Sequence, residues 1–253
     1  MTTFKITLEY DGTRYSGWQI QKNVRTVMGE IRKAAQQIFD GDIEIQGAGR
    51  TDAGVHALGQ VMHIKVNSAP AHTPDQIKRR LNDLLPADIA ILDVARAPRN
   101  FHARHDALAR IYLYQISRRK QAFIKKHVWW IKDELDVEAM SKAASVLAGR
   151  HDFVCFRASD PSRPGESTIV EIEGAAVEAN EDIIQFRISG SHFLWRMVRR
   201  IVGTLVKVGK REITTEEFRQ LVEGRCSENF DIAACTAPAS GLFLEEIRYN
   251  GGR

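Results

Sequence analysis

"DIEIQGAGRTDAGVHALGQVMHIKV", residues 42–66, decides the architecture. Residues 42–47 and 60–66 have the pattern of two strands, and the stretch between them sets Arg50, Asp52 and His56 among glycines. Glycine lets a backbone turn tightly or approach a ligand closely, so a polar trio in such a segment is displayed rather than buried.

Upstream, Phe4, Ile6, Leu8 and Tyr10 alternate onto one face of a first strand. Val27, Ile31, Ala34, Ala35 and Ile38 then recur at helical spacing behind Thr26, a capping residue. Downstream, "TPDQIKRRLNDLLP" opens with Thr73 as cap, Pro74 in the first turn and Gln76 closing a capping box, with Ile77, Leu81, Leu84 and Leu85 as its inner stripe. A strand at 88–94 completes a βαββαβ order, that of a ferredoxin-like unit.

After residue 105 the same order returns with an extra leading strand and an extra helix. Strands are predicted at 109–117 and 127–132, then a helix from Asp136 through Leu147 ended by Gly149. A hairpin turning at Asn180 and Glu181 follows, then a helix over 193–208, another capped by Thr214 with Glu217, and a last strand in "GLFLEEIRY". The expected class is α+β: two ferredoxin-like βαββαβ halves, 1–105 and 106–253, joined into one central, mainly antiparallel sheet with a cleft between them.

Bulk composition narrows the function. At 253 residues, 43% hydrophobic and 27% charged, the chain has the make-up of a soluble globular protein. Its net charge of +4 and pI of about 9.0 fit a nucleic-acid partner, and the cations cluster at 75–81, 116–127 and 195–200, each of which also reads as a solvated face. Cys155, Cys226 and Cys235 have an odd count and no CxxC spacing, which predicts neither a disulfide framework nor a zinc site and places the chain in a reducing cytoplasm. The alternating N-terminus is unlike a signal peptide, and no segment approaches the roughly 18 apolar residues of a membrane span.

Several stretches could carry chemistry. Asp52 is either a turn carboxylate bonding its own backbone or, held ionised by an arginine, a nucleophile or base. "GAGRTDAG" matches neither GxGxxG nor the lysine-bearing phosphate loop. A metal set of Asp52, His56 and His63 lacks a second cluster and is disfavoured. Tyr112 and Tyr114 share a strand face, either packed in the core or forming a platform on which a base stacks. In the 193–208 helix, Leu194, Met197, Val198, Ile201, Val202 and Leu205 make an apolar stripe, while Arg196, Arg199 and Arg200 share another side, able to meet a carboxylate or phosphates.

In their order, "YDGTRYSGWQ" (10–19), "GRTDAGVHA" (49–57), "FHARHDALARIYLY" (101–114), "MVRRIVGTL" (197–205) and "APASGLFLEEIRY" (237–249) resemble the tRNA pseudouridine synthase A family over nearly the whole chain. That resemblance implies the pseudouridine synthase fold, no cofactor and no metal, tRNA as partner, a homodimer, no membrane association, and isomerisation of uridines at positions 38, 39 and 40 of the anticodon arm. It makes Asp52 the catalytic aspartate. Tyr112 becomes the tyrosine that stacks on the target base, Arg199 the arginine paired with the aspartate, Leu242 the leucine against the base, and Arg50 the arginine holding the flipped nucleotide. His56 is expected to support the loop. Two departures stand out: Trp195 and Arg196 replace the family's paired histidines, and "STIVEI" (167–172) lacks an expected arginine.

Overall fold

The alternation of Phe4, Ile6, Leu8 and Tyr10 buries all four side chains on β1 (Thr2–Tyr10). The structure, a computed structural model, describes residues 1–67, 72–159, 165 and 167–250. The chain divides into two compact units, Met1–Leu108 with Phe243–Arg253, and Ala109–Leu242.

In the first unit β1 is followed by α1 (Val27–Ala35), β2 (Ile43–Gly47), β3 (His56–Val66), α2 (Pro74–Leu84) and β4 (Ile89–Ala97), the βαββαβ order expected. β1 lies between β3 and β4, and β2 pairs with Met62–Val66 of β3, all antiparallel. The part of β3 next to the glycine-rich loop pairs instead with β10 (Leu242–Tyr249), in parallel, Phe243 opposite His56. Thr26 caps α1 by accepting from the Gly29 N–H at 3.3 Å, and the capping box of Thr73 and Gln76 is formed on α2. Leu84 departs from the predicted inner stripe: it is 40% exposed, while Leu85 is buried. Leu84 is the last residue of the helix, and Leu85, in extended backbone beyond it, takes the inward position instead.

The second unit contains β5 (Ala107–Ser117), β6 (Trp129–Trp130), α3 (Val137–Ser145), β7 (Gly149–Asp152), β8 (Ile169–Ala179), β9 (Ile183–Gly190), α4 (Met197–Gly209) and α5 (Thr215–Val222). β9 lies between β5 and β8, β7 extends the far side of β8, and all three pairings are antiparallel; β6 adds two parallel residues to β5. The hairpin turns where predicted, with the Asn180 side chain accepting from the N–H groups of Asp182 and Ile183 at 3.0 and 2.7 Å. The α+β class and the mainly antiparallel pairing thus hold in each unit.

Four expectations are corrected. Residues 243–250 group with the first unit rather than the second, where Phe243 and Leu244 of β10 lie opposite His56 and Ala57 of β3. Gly149, at φ +109°, opens strand β7, which is too short and polar to show alternation in the sequence. α4 begins at Met197, not 193: Arg196 has φ +59°, the left-handed region, and cannot continue a right-handed helix upstream. Finally, Cys155 and Cys226 form a disulfide, with Cα atoms 5.4 Å apart across 71 residues of sequence; Cys235 is free. The packing of α5 against the 3-10 turn Phe153–Phe156 brings that pair together, which local spacing cannot register.

Closing a loop of that length restricts the unfolded chain by an amount worth about 4 kcal/mol. Cys226→Ser, or reduction with a phosphine, should therefore lower the unfolding midpoint without altering the far-ultraviolet circular dichroism; an unchanged midpoint would show that the bridge adds nothing to stability.

Candidate active site

Asp52 owes its display to two segments that interlock within the first unit. Thr51, 8% exposed, is held from both sides: its carbonyl accepts the Trp18 N–H at 3.1 Å and its hydroxyl meets the Tyr10 hydroxyl at 2.8 Å. Beyond it the chain reverses, with the Val55 N–H donating to the Asp52 carbonyl at 3.2 Å. Gly54 supplies the positive φ of +77° that the third position of such a turn demands. The Gly54 N–H in turn reaches the Tyr15 carbonyl at 3.3 Å.

Close approach explains the glycines of the partner segment. A Cβ at Gly12 would lie 1.9 Å from the Val55 carbonyl oxygen, and one at Gly17 2.7 Å from that of Thr51. His56 fills the gap beneath: it is buried, accepts the Gly12 N–H on Nδ1 at 3.0 Å, and stacks on Phe243 with ring centroids 4.8 Å apart. It braces the loop from within the core, so of the trio expected on display His56 is buried instead. Between buried Thr51 and buried Val55, Asp52 is half-buried; Arg50, just before, is exposed.

The segment 11–25 is itself fastened. The Tyr15 hydroxyl donates to Asp88, the Arg25 guanidinium lies 4.6 Å above the Tyr15 ring, and the Asp11 N–H donates to the Asp88 carbonyl at 3.0 Å. Burial, followed by the Asp88 contact, pushes the Tyr15 hydroxyl well above the usual phenol range, so it remains a proton donor. Sequence reading missed this clamp; the nearby alternation and capping signals carry no trace of it.

His63 does not serve as a metal ligand in this arrangement. It is fully buried, and Nδ1 accepts the Ala103 N–H at 3.0 Å, leaving Nε2 to donate to Glu44 at 3.0 Å. A neutral imidazole with both nitrogens engaged has no lone pair to offer.

The other predicted residues stand on the second unit. Tyr112, on β5, is buried edge-on to Phe193, with ring centroids 5.1 Å apart. Tyr114, two residues on, is fully buried and donates to the Pro238 carbonyl at 2.8 Å; burial raises its hydroxyl far above the ordinary value. Arg199, on α4, donates Nε–H to the Ala237 carbonyl at 2.7 Å, while the Ala237 N–H returns to the Arg199 carbonyl at 3.0 Å. A Cβ on Gly241 would lie 2.6 Å from the Tyr114 ring. Residues 237–241 are thereby laced to both β5 and α4, and they lead directly into buried Leu242.

The three arginines predicted on one side of a helix separate. Arg196 lies ahead of α4, exposed, with its guanidinium 4.9 Å from the Trp195 ring centroid. Arg200 donates to the Arg157 carbonyl, and burial, then Arg196, lowers its guanidinium's proton affinity.

A carboxylate displayed on a loop fixed from both sides is chemically able to act as a nucleophile or a general base. Residues 6–106 and 143–250 match the family described as tRNA pseudouridine synthase. A tRNA pseudouridine synthase A of Thermotoga neapolitana is 43% identical over 96% of this chain and 97% of its own. One from Acetivibrio thermocellus is 39% identical over 98% and 100% respectively. The chain belongs to the tRNA pseudouridine synthase family and is an isomerase. No helix among the described residues is long and apolar enough to cross a membrane.

Two outcomes follow from this geometry. Gly12→Ala, whose methyl group would collide with backbone, should cost about 2 to 3 kcal/mol of stability and most of the turnover. Gly49→Ala, which meets nothing within 4 Å, should fold normally; equal stability of the two variants in urea unfolding would refute the interlock. The second concerns pH. Burial, then the positive charge of Lys65, depresses the His63 pKa, against the opposing bond from Glu44, and the His63 bond depresses that of Glu44. Groups with depressed folded pKa values stabilise fully above their unfolded values and lose that contribution on acidification. The melting midpoint should therefore fall as pH drops from about 7 to 5, and a flat profile would contradict the buried neutral assignment.

Proposed function

We propose that this protein isomerises uridine to pseudouridine at positions 38, 39 and 40 of the tRNA anticodon arm, with Asp52 as the catalytic carboxylate. The observation that carries the reading is the display of Asp52, half-buried on a loop whose neighbours on both sides are locked, within the family's signature segment. The reaction breaks the N1–C1′ bond and forms a C5–C1′ bond; the C5 proton leaves to solvent and N1 gains one. Redox state is unchanged and no water is consumed, so the chemistry calls for no cofactor.

The bond is inaccessible within a stacked stem, so the nucleotide is flipped out of the helix. Tyr112 stacks on the uracil and Leu242 packs against it. Arg199 pairs with Asp52 and keeps it ionised, and Arg50, exposed beside the carboxylate, holds the flipped strand. Attack by Asp52 on C6, attack on C1′, and removal of the 2′ proton are three routes open to the same carboxylate. The basic clusters meet the RNA backbone. We further propose that the protein acts as a homodimer in the cytoplasm, where tRNA is matured.

Tritium release from anticodon-arm RNA labelled at uridine C5 tests the reading. Wild type should release tritium in the presence of chelator, while Asp52→Ala should release none and still bind RNA within about tenfold of wild type. Arg199→Lys should slow release, because an ammonium lacks the planar fork; Tyr112→Phe, which keeps the ring, should retain it. No release by wild type from any labelled tRNA would sink the proposal in favour of a binding protein, and loss of activity in chelator would point to a metal-dependent enzyme.

A further inference from the structure

Residues 118–127, "RRKQAFIKKH", place five cations and no carboxylate in ten positions, and none of them is among the catalytic and base-holding residues proposed above. The loop is built, not slack. The Ser117 hydroxyl donates to the Arg119 carbonyl at 2.7 Å, the Gln121 amide to the Ser117 hydroxyl at 3.0 Å, and the His127 N–H to the Ile124 carbonyl at 2.8 Å. Its base is pinned to the β8–β9 turn: Arg119 makes a two-pronged pair with Asp182 at 2.8 and 2.7 Å, and the Arg118 N–H donates to the Asp182 carbonyl at 2.9 Å. That pair neutralises Arg119, leaving Lys120 and Lys125 exposed.

On this scaffold Phe123 is 100% exposed, the most exposed large hydrophobic side chain among the described residues. A second aromatic surface lies on the same unit: Trp130 of β6 is 46% exposed, with Lys120 Nζ 5.9 Å from its ring centroid. Exposed single apolar residues are ordinary on a protein surface. A fully exposed ring on an internally bonded loop, flanked on both sides by lysines, combines the two components of a sequence-tolerant single-strand site: a π-face for a base and cations for the adjoining phosphates. An apolar protein partner would leave those lysines desolvated, whereas phosphates release counterions on meeting them.

We propose that the 118–127 loop docks single-stranded RNA, with an unstacked base on Phe123 and the phosphates either side of it on Lys120 and Lys125. The proposal rests on the RNA-directed function above and adds a contact outside the catalytic residues.

The test uses the full chain and a labelled oligoadenylate of about 12 nucleotides, which offers the catalytic residues no uridine. Phe123→Ala should weaken binding roughly five- to a hundredfold, and Phe123→Trp should restore it. Lys120→Ala and Lys125→Ala should each lower the slope of log affinity against log salt by about 0.7. Unchanged affinity in Phe123→Ala overturns the proposal. So does a loss of affinity accompanied by dissociation of a dimer in sedimentation, which would assign the ring to a second copy of the chain; retention on anionic vesicles that depends on Phe123, with oligoadenylate binding intact, would assign it to a lipid surface. Tritium release from a uridine-labelled stem-loop at saturating RNA is followed in parallel. Normal release with no Phe123 effect removes the docking site alone, and a Phe123 effect without release by wild type removes the isomerase reading alone.

Discussion

The contact between Gly12 and the Val55 carbonyl is the constraint on which the Asp52 loop depends. There is no room at that point for a β-carbon, so the two glycine-rich segments approach as bare backbone. Backbone groups then satisfy one another directly, Thr51 with Trp18 and Gly54 with Tyr15, and a loop that would otherwise wander becomes as fixed as a strand. For the role proposed for Asp52, rigidity of this kind has chemical value, because a carboxylate held in place before substrate arrives need not be ordered during the reaction. Tyr10 and His56 extend the bracing from the core strands β1 and β3 to the loop.

A second lacing, in the other unit, follows the same logic with different residues. Ala237 exchanges backbone and side-chain bonds with Arg199, Pro238 accepts from Tyr114, and Gly241 lies against the Tyr114 ring. Arg199 and Leu242 are thus set by one short segment, and Tyr112 by the strand that segment rests on. Tyr114 is the structural member of the tyrosine pair: its ring is wholly buried and its hydroxyl is committed to a carbonyl. The sequence placed both tyrosines on one face but could not separate their duties, since alternation reports the face and not the partner.

Legibility followed range of interaction. The caps at Thr26, Thr73 and Thr214 and the turn at Asn180 were all readable because each is a bond between residues two or three apart. Strand β7, the late start of α4 and the outward turn of Leu84 were not. Each depends on a backbone angle or a neighbouring strand that local pattern does not encode. The cysteines show the same division most plainly: an odd count argued against a bridge, yet Cys155 and Cys226 are joined across 71 residues.

The amino-acid sequence by itself determined the α+β class, the βαββαβ order of the first hundred or so residues, the family, and the identity of Asp52 as the residue on display, because these rest on periodicity, caps and an unusually specific motif. Only the tertiary structure decided that the last strand returns to the first unit, that Thr51 and His56 brace the Asp52 loop, that His63 is a buried hydrogen-bonding residue, and that Phe123 stands wholly in solvent. Those outcomes depend on which distant atoms share the same space. Spacing along a chain carries that information only where contacts are local.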